Sequence, residues 1–261
     1  MLHPAFEKMT NGESIVDSEG NQVLPGGYIS KEEGLFIFNL IREYGISSVL
    51  EIGCAFGGSS LQIGFALSSR SGEAKAKKPR HVIIDPSQHS DYNDTGLLGL
   101  KRAGFTYEFR NEPSEIALPR LLDSGETFDM VFCDGYHTFD HTVLDLFYAE
   151  RLIHENGIIV VDDTSWPQVN RAVRFFLRCP HIRLIKGVPA DPKRGSFARR
   201  MLHRIQEWSY WPLRLIPERV ADEILNGSFV RPDSRIGLLS TMVALQKTGP
   251  DVRQDDWYKQ F

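Results

Sequence analysis

The strongest constraint on this chain is an alternation that runs from about residue 48 to residue 187. Short, almost wholly apolar segments take turns with segments whose apolar residues recur at helical spacing. The spacing predicts strands over Ser48–Ile52, His81–Asp85, Thr106–Arg110, Phe128–Asp134 and Gly157–Asp163. Helices are predicted over Ser59–Ser69, Thr95–Ala103, Glu115–Leu122, Val143–Ile153 and Asn170–Leu177. Strands separated by helices pair in parallel, and a parallel sheet is covered on both faces. Runs such as Val82-Ile83-Ile84 and Ile158-Ile159-Val160-Val161 accordingly lack polar alternation. Ile182–Gly187 and Leu238–Leu245 read as two further strands, giving a Rossmann-like α/β fold with a seven-stranded, mostly parallel sheet and helices on both faces. Upstream, Ser30 followed three residues later by Glu33 is a capping box, opening a helix that ends near Tyr44, before Gly45.

A chain of 261 residues can bury one such core. Residues 1–29, rich in Gly, Asn, Ser and acids, are read as an N-terminal arm or lid, and residues 30–261 as one domain with an insertion at about 188–236. With 30 basic against 34 acidic side chains the formal charge is −4, which argues against a nucleic-acid partner. Neither a signal-peptide pattern nor an apolar run of membrane-spanning length is found, so the cytoplasm is the expected compartment. Three cysteines without C-x-x-C spacing predict neither a disulfide framework nor a structural zinc site; Cys54 and Cys133 read as small buried residues. The basic stretch Lys75–Arg80 reads as a solvated loop.

The first predicted strand leads into Glu51-Ile52-Gly53-Cys54-Ala55-Phe56-Gly57-Gly58-Ser59 and then into a helix. Glycines permit a sharp turn and close approach of a ligand, and the helix N-terminus offers free N–H groups to an anion. A dinucleotide site wants G-x-G-x-x-G; here the second glycine of that fingerprint is missing. Glu51 ahead of the turn suits a ligand that carries an ammonium group, and Asp85 at the end of the second strand suits the hydroxyls of a ribose.

Acids also gather at the fourth and fifth strand ends, as Asp134-Gly135-Tyr136-His137 and Asp162-Asp163-Thr164. Carboxylates converging there repel one another unless a cation or bound protons offset the charge, and oxygen ligands favour Mg²⁺. The candidate metal ligands are therefore Asp134, Asp162 and Asp163; the plainer alternative is that the latter two only cap the next segment. His137 titrates near neutral pH and is a candidate general base; His141 is expected to play a structural part.

On these motifs the sequence resembles class I S-adenosylmethionine-dependent methyltransferases over about residues 26–187, and more narrowly the catechol O-methyltransferase-like group and its bacterial small-molecule relatives. The resemblance implies that Glu51, Gly53, Cys54, Ala55, Gly57 and Ser59 hold the methionine part of the cofactor, Asp85 its ribose, and Ser114 and Glu115 its adenine, with Asp134 serving cofactor, metal and catalysis. The turn Asn111-Glu112-Pro113-Ser114 departs from the usual glycine-containing one, Asp163 stands where the relatives carry an amide, and His137 where they carry a proton-accepting lysine. The implied reaction is O-methylation of a small-molecule hydroxyl, on a natural product or sugar-like compound, with Mg²⁺ assisting. A Rossmann-type oxidoreductase and a non-catalytic cofactor-binding module are the alternatives; the former is disfavoured by the glycine order and by the lack of a Tyr-x-x-x-Lys pair. Methylation of nitrogen or of a macromolecule lacks the Asn/Asp-Pro-Pro-aromatic motif after the fourth strand. In the insertion, Phe197, Met201, Leu202, Ile205 and Trp208 fall at helical spacing opposite arginines, reading as a lid helix or a homodimer contact, with a membrane surface as a further option. Trp208, Tyr210, Trp211 and, after the acid pair, Trp166 are the candidate walls of an acceptor pocket.

Overall fold

A computed structural model describes residues 1–70, 78–190 and 233–254. The insertion and its aromatic residues therefore lie almost wholly outside the described residues, as does part of the basic stretch before the second predicted strand. Among the described residues the main sheet has seven strands: β3 (Ser48–Ile52), β4 (Arg80–Ile84), β5 (Glu108–Arg110), β6 (Phe128–Cys133), β7 (Ile153–Val161), β8 (Ile182–Pro189) and β9 (Ser240–Lys247). Their spatial order is β5-β4-β3-β6-β7-β9-β8. The five strands β3 to β7 pair in parallel, while β9 runs antiparallel between β7 and β8. The chain leaves β3 toward one edge of the sheet and returns to the other side at β6, so the switch point lies between the carboxyl ends of β3 and β6.

Side chains alternate across the sheet and build two cores. Leu50, Ile52, Val82, Ile84, Val131 and Cys133 face α5 (Ser114–Asp123), α6 (Phe139–Leu152) and α7 (Pro167–Phe176). Val49, Ile83, Met130 and Phe132 face the opposite way, toward α2 (Lys31–Glu43), α3 (Gly58–Ser68) and α4 (Thr95–Arg102). Ser30 and Glu33 close the expected capping box on α2, each side chain taking the other residue's backbone N–H.

Several boundaries differ from the sequence reading: α7 begins at Pro167 rather than Asn170, and β9 runs Ser240–Lys247 rather than from Leu238 to Leu245. β5 lacks Thr106 and Tyr107. α6 begins four residues before Val143, and β7 begins at Ile153, before a register shift against β6 that turns His154–Asn156 outward. The segment read as an arm or lid carries a short helix, α1 (Pro4–Thr10), and a two-residue hairpin of β1 (Ile15–Val16) and β2 (Gln22–Val23). It is docked on the body. Phe6 is fully buried, and a Cβ on Gly34 of α2 would overlap its ring. Gln62 of α3 donates to the Met1 carbonyl (2.7 Å) and accepts from the His3 N–H (3.0 Å). Phe6→Ala is expected to cost about 3–5 kcal/mol of stability, measured by urea denaturation, because the flanking Gly34 and Gly58 carry no side chains to refill the space.

Candidate active site

Parallel pairing at the carboxyl edge continues one residue beyond the strands. The N–H of Gly53 donates to Ile84, that of Asp85 to Arg110, that of Asp134 to Ile52 and that of Asp162 to Cys133, all at 2.9–3.1 Å. Register thereby sets Asp85, Gly53, Asp134 and Asp162 in one row along the rim. Gly53 must be glycine: its φ is +89°, and a Cβ there would overlap the carbonyl oxygen of Asp134. Gly57, at φ +83°, caps α3, and a Cβ on it would lie 2.8 Å from the Cα of Gly96 at the start of α4. Between the two, Ala55 is held at φ +46°, a left-handed conformation that costs a non-glycine residue about 1–3 kcal/mol and is common at ligand sites.

Two carboxylates brace this turn. Glu51 is fully buried; its oxygens accept from Ser59 Oγ (2.6 Å), Ser60 Oγ (2.7 Å) and His81 Nε2 (2.8 Å). Glu51 and Ser59 thus meet each other within the fold. Residue 51 shares a sheet face with Val49, so it points beneath the N-terminal end of α3, where the helix dipole favours a negative charge. Asp85 is also turned inward: its Oδ2 accepts the N–H groups of Cys54 and Ala55, both at 2.9 Å, and its Oδ1 that of Ser87 at 2.7 Å. Cys54 itself is buried, and burial beside Glu51 pushes its thiol well up, so it stays neutral.

Of the acids after β6 and β7, Asp134 and Asp163 converge on one imidazole. His137 Nε2 lies 3.1 Å from Asp134 Oδ1 and 3.0 Å from Asp163 Oδ2. Asp163 reaches it from a left-handed backbone (φ +51°). The two carboxylates hold the His137 pKa up at about 10, against the opposing pull of burial. The ring between them therefore carries its proton at neutral pH. Burial pushes Asp134 up to about 6, although His137 pulls the other way. Asp162 sits behind them: it is buried, accepts the Asp163 N–H (2.8 Å), and is raised well above the usual carboxylate range by burial and by Asp134, Glu33 and Asp163. The atoms that come within 4.8 Å of one another thus belong to Asp134, His137 and Asp163 rather than to the three aspartates expected. His141 stands aside, its Nδ1 2.9 Å from the Thr138 hydroxyl, and Trp166 lies against the His137 ring at 5.5 Å.

Ser114 and Glu115 open α5, Glu115 outward and the Ser114 hydroxyl pulling down the Asp145 carboxyl of α6 against the rise that burial causes. Asp145 and Glu33 are two acids near the rim: the sequence reading did not single out Asp145 and gave Glu33 only a capping role. Both sit on helices, whereas that reading followed strand ends. No helix among the described residues is long and apolar enough to cross a membrane.

Residues 50–164 match the family described as a methyltransferase domain. Caffeoyl-CoA O-methyltransferase 2 of Petunia hybrida is 25% identical over 182 residues, covering 63% of this chain and 68% of that protein. The caffeoyl-CoA O-methyltransferase of Petroselinum crispum is 26% identical over the same shares. Among solved structures, an O-methyltransferase from Bacillus cereus in complex with S-adenosylhomocysteine superposes with a TM-score of 0.55 at 20% identity, covering 71% of this chain and 84% of that one. The O-methyltransferase TomG from Streptomyces achromogenes, in complex with S-adenosylmethionine, gives 0.53 at 20% identity, covering 72% and 85%. These structures share the fold.

Gly53→Ala is expected to cost on the order of 3 kcal/mol or more, since strain and overlap add. Gly104 has φ +77° with nothing near its Cβ position, so Gly104→Ala should cost only about 1 kcal/mol. Equal losses in urea denaturation would contradict the close approach described for Gly53.

Proposed function

We infer that this chain, which carries a methyltransferase domain over residues 50–164 on the class I methyltransferase fold, is an S-adenosylmethionine-dependent O-methyltransferase acting on a small-molecule hydroxyl. The observation that carries the reading is the rim row at the switch point, where the strained glycine turn stands directly beside the Asp134–His137–Asp163 cluster. A methyl donor and a proton-handling group belong side by side in such a reaction. The compartment we assign is the cytoplasm.

In this reading the turn from Gly53 to Gly57 and the N–H groups opening α3 receive the amino-acid end of the cofactor. The loop after β4, held by Asp85, receives the ribose, and the α5 N-terminus lies toward the adenine. Glu51 and Asp85 act through the backbone: they fix where the turn's N–H groups and carbonyls point before any ligand arrives. The cofactor brings an already activated methyl group, so the protein's task is to align the acceptor oxygen, methyl carbon and sulfur in line.

The acceptor hydroxyl must lose a proton. Asp134, with its pKa raised to about 6, and His137, sharing Nε2–H with Asp134 and Asp163, form one proton-holding unit beside the turn. The carboxylates of Asp134 and Asp163, with Asp162 behind them, would hold a divalent cation in place of the His137 proton, with Mg²⁺ as the candidate. Such an ion would lower the pKa of a bound hydroxyl. Trp166, partly exposed against His137, forms a flat apolar wall for the acceptor.

Wild-type protein should bind S-adenosylhomocysteine in calorimetry and transfer a labelled methyl from S-adenosylmethionine to members of a panel of small aromatic and aliphatic hydroxyl compounds. His137→Ala should lower kcat about 100-fold or more while leaving cofactor affinity within a few-fold. A protein with no affinity for either form of the cofactor would end this reading.

A further inference from the structure

Gln88, in the loop after β4, is a fully buried polar side chain. Its Nε2 donates to the Ala55 carbonyl at 2.6 Å and to Asp85 Oδ2 at 3.1 Å. With two acceptors on one side, the amide can turn only its nitrogen toward them. Its Oε1 is left enclosed, without a hydrogen-bond partner among the described residues. A buried unpaired carbonyl is costly, and an apolar side chain of the same length would not incur that cost. What the amide gives in return is its hold on Ala55.

Ala55 is the left-handed, non-glycine residue of the glycine turn, at φ +46°. Its N–H goes to Asp85 Oδ2 at 2.9 Å and its carbonyl to Gln88, so both of its backbone groups are taken by side chains of one loop. Such a conformation persists only where the surroundings over-determine it. The same carbonyl is hemmed in by α4, since a Cβ on Gly96 would stand 2.7 Å from it. Gln88 is anchored to that helix as well: its own carbonyl accepts the N–H of Asp94, the N-cap of α4, at 2.8 Å. Phe56, next in the turn, packs edge-on against Tyr92 of the loop, with ring centroids 5.0 Å apart. The turn, the loop and the start of α4 are thereby tied together, and Gln88 stands at the knot.

We propose that Gln88 is a positioning residue for the cofactor: by holding the Ala55 carbonyl, it keeps the turn in the shape that receives the amino-acid end of S-adenosylmethionine. This rests on the function proposed above. Gln88 itself touches no ligand and acts through Ala55. Without its N–H groups Ala55 can leave the left-handed region, and affinity falls with the fraction of molecules that keep the turn.

The test is calorimetry at pH 8 with two ligands, S-adenosylhomocysteine and 5′-methylthioadenosine, which keeps the adenine and ribose but has no amino-acid end. Gln88→Met removes the donor at similar length. It should weaken S-adenosylhomocysteine about 5- to 20-fold, the range of one lost hydrogen bond with a buried acceptor, and leave methylthioadenosine within about threefold. Gln88→Glu keeps the shape but turns an acceptor toward the Ala55 carbonyl and the Asp85 carboxylate, so it should bind S-adenosylhomocysteine more weakly than Gln88→Met. A side chain that merely fills space would give the reverse order, and that order overturns the proposal. Affinity for S-adenosylhomocysteine within about twofold of wild type in either folded variant overturns it too, as does an equal loss for both ligands, the mark of general loosening. If the wild type binds neither ligand, the methyl-transfer reading fails and takes this one with it; if wild type and variants bind alike, only the role of Gln88 falls.

Discussion

The register of a parallel sheet fixes where charge gathers in this protein. Parallel strands of matched length end at the same level, so whatever follows each strand lines one rim. Here the residues one step past four neighbouring strands are Asp85, Gly53, Asp134 and Asp162, joined by backbone hydrogen bonds that extend the ladder. Three carboxylates and a glycine meet along that edge. The absence of a side chain at Gly53 lets the β3 turn come against the Asp134 carbonyl, and that contact closes the switch point into a shaped crevice. Any longer residue there would push apart the two loops that the chemistry requires together.

The acids along the rim divide by what they face. Glu51 and Asp85 are spent inside the protein, on hydroxyls, an imidazole and backbone N–H groups. A buried polar contact such as that of Glu51 with His81 is a poor source of net stability, because desolvation offsets most of the attraction. What it gives is position. The glycine turn has left-handed residues at 53, 55 and 57 and would otherwise sample many shapes; three donors on Glu51 and three backbone N–H groups on Asp85 hold it in one. Asp134 and Asp163 are instead left facing the open side, their oxygens shared with one imidazole.

Much of this was legible in the sequence, and the failures have physical reasons. The alternation of apolar strands with helical segments is enough for the parallel sheet, because only covered strands can be apolar on both faces. The antiparallel β9 between β7 and β8 was visible as a strand but not in its place, since periodicity says nothing of order. α1 was missed because a seven-residue helix buries only Phe6 and Met9, too few to make a pattern. The inward placement of Glu51 was legible in strand parity. Strand parity puts it on the face of Val49, under the helix that begins with Ser59 and Ser60, so a carboxylate there meets hydroxyls before it meets a ligand. Asp145 could not be found by following strand ends. It lies eleven residues beyond Asp134, on a helix, and only the third dimension returns it to the rim.

The cluster around His137 shows how one arrangement can serve both charge balance and chemistry. Two carboxylates about 3 Å from the same nitrogen make the imidazolium a resident cation, and this raises its pKa to about 10. The same attraction that holds the proton makes the imidazole alone a reluctant base, since a site that stabilises its proton so strongly has already used the ring's basicity. Asp134 complements it: burial lifts this carboxyl to about 6, nearer the pH at which it would work. Both groups are displaced upward, His137 by its contact with the carboxylates and Asp134 by burial against the pull of that contact, and the proton they hold belongs to the pair. Any other cation that enters between Asp134 and Asp163 competes with that proton for the same oxygens. The balance of charge at this rim, more than the identity of any single residue, sets the protonation of the Asp134–His137–Asp163 cluster.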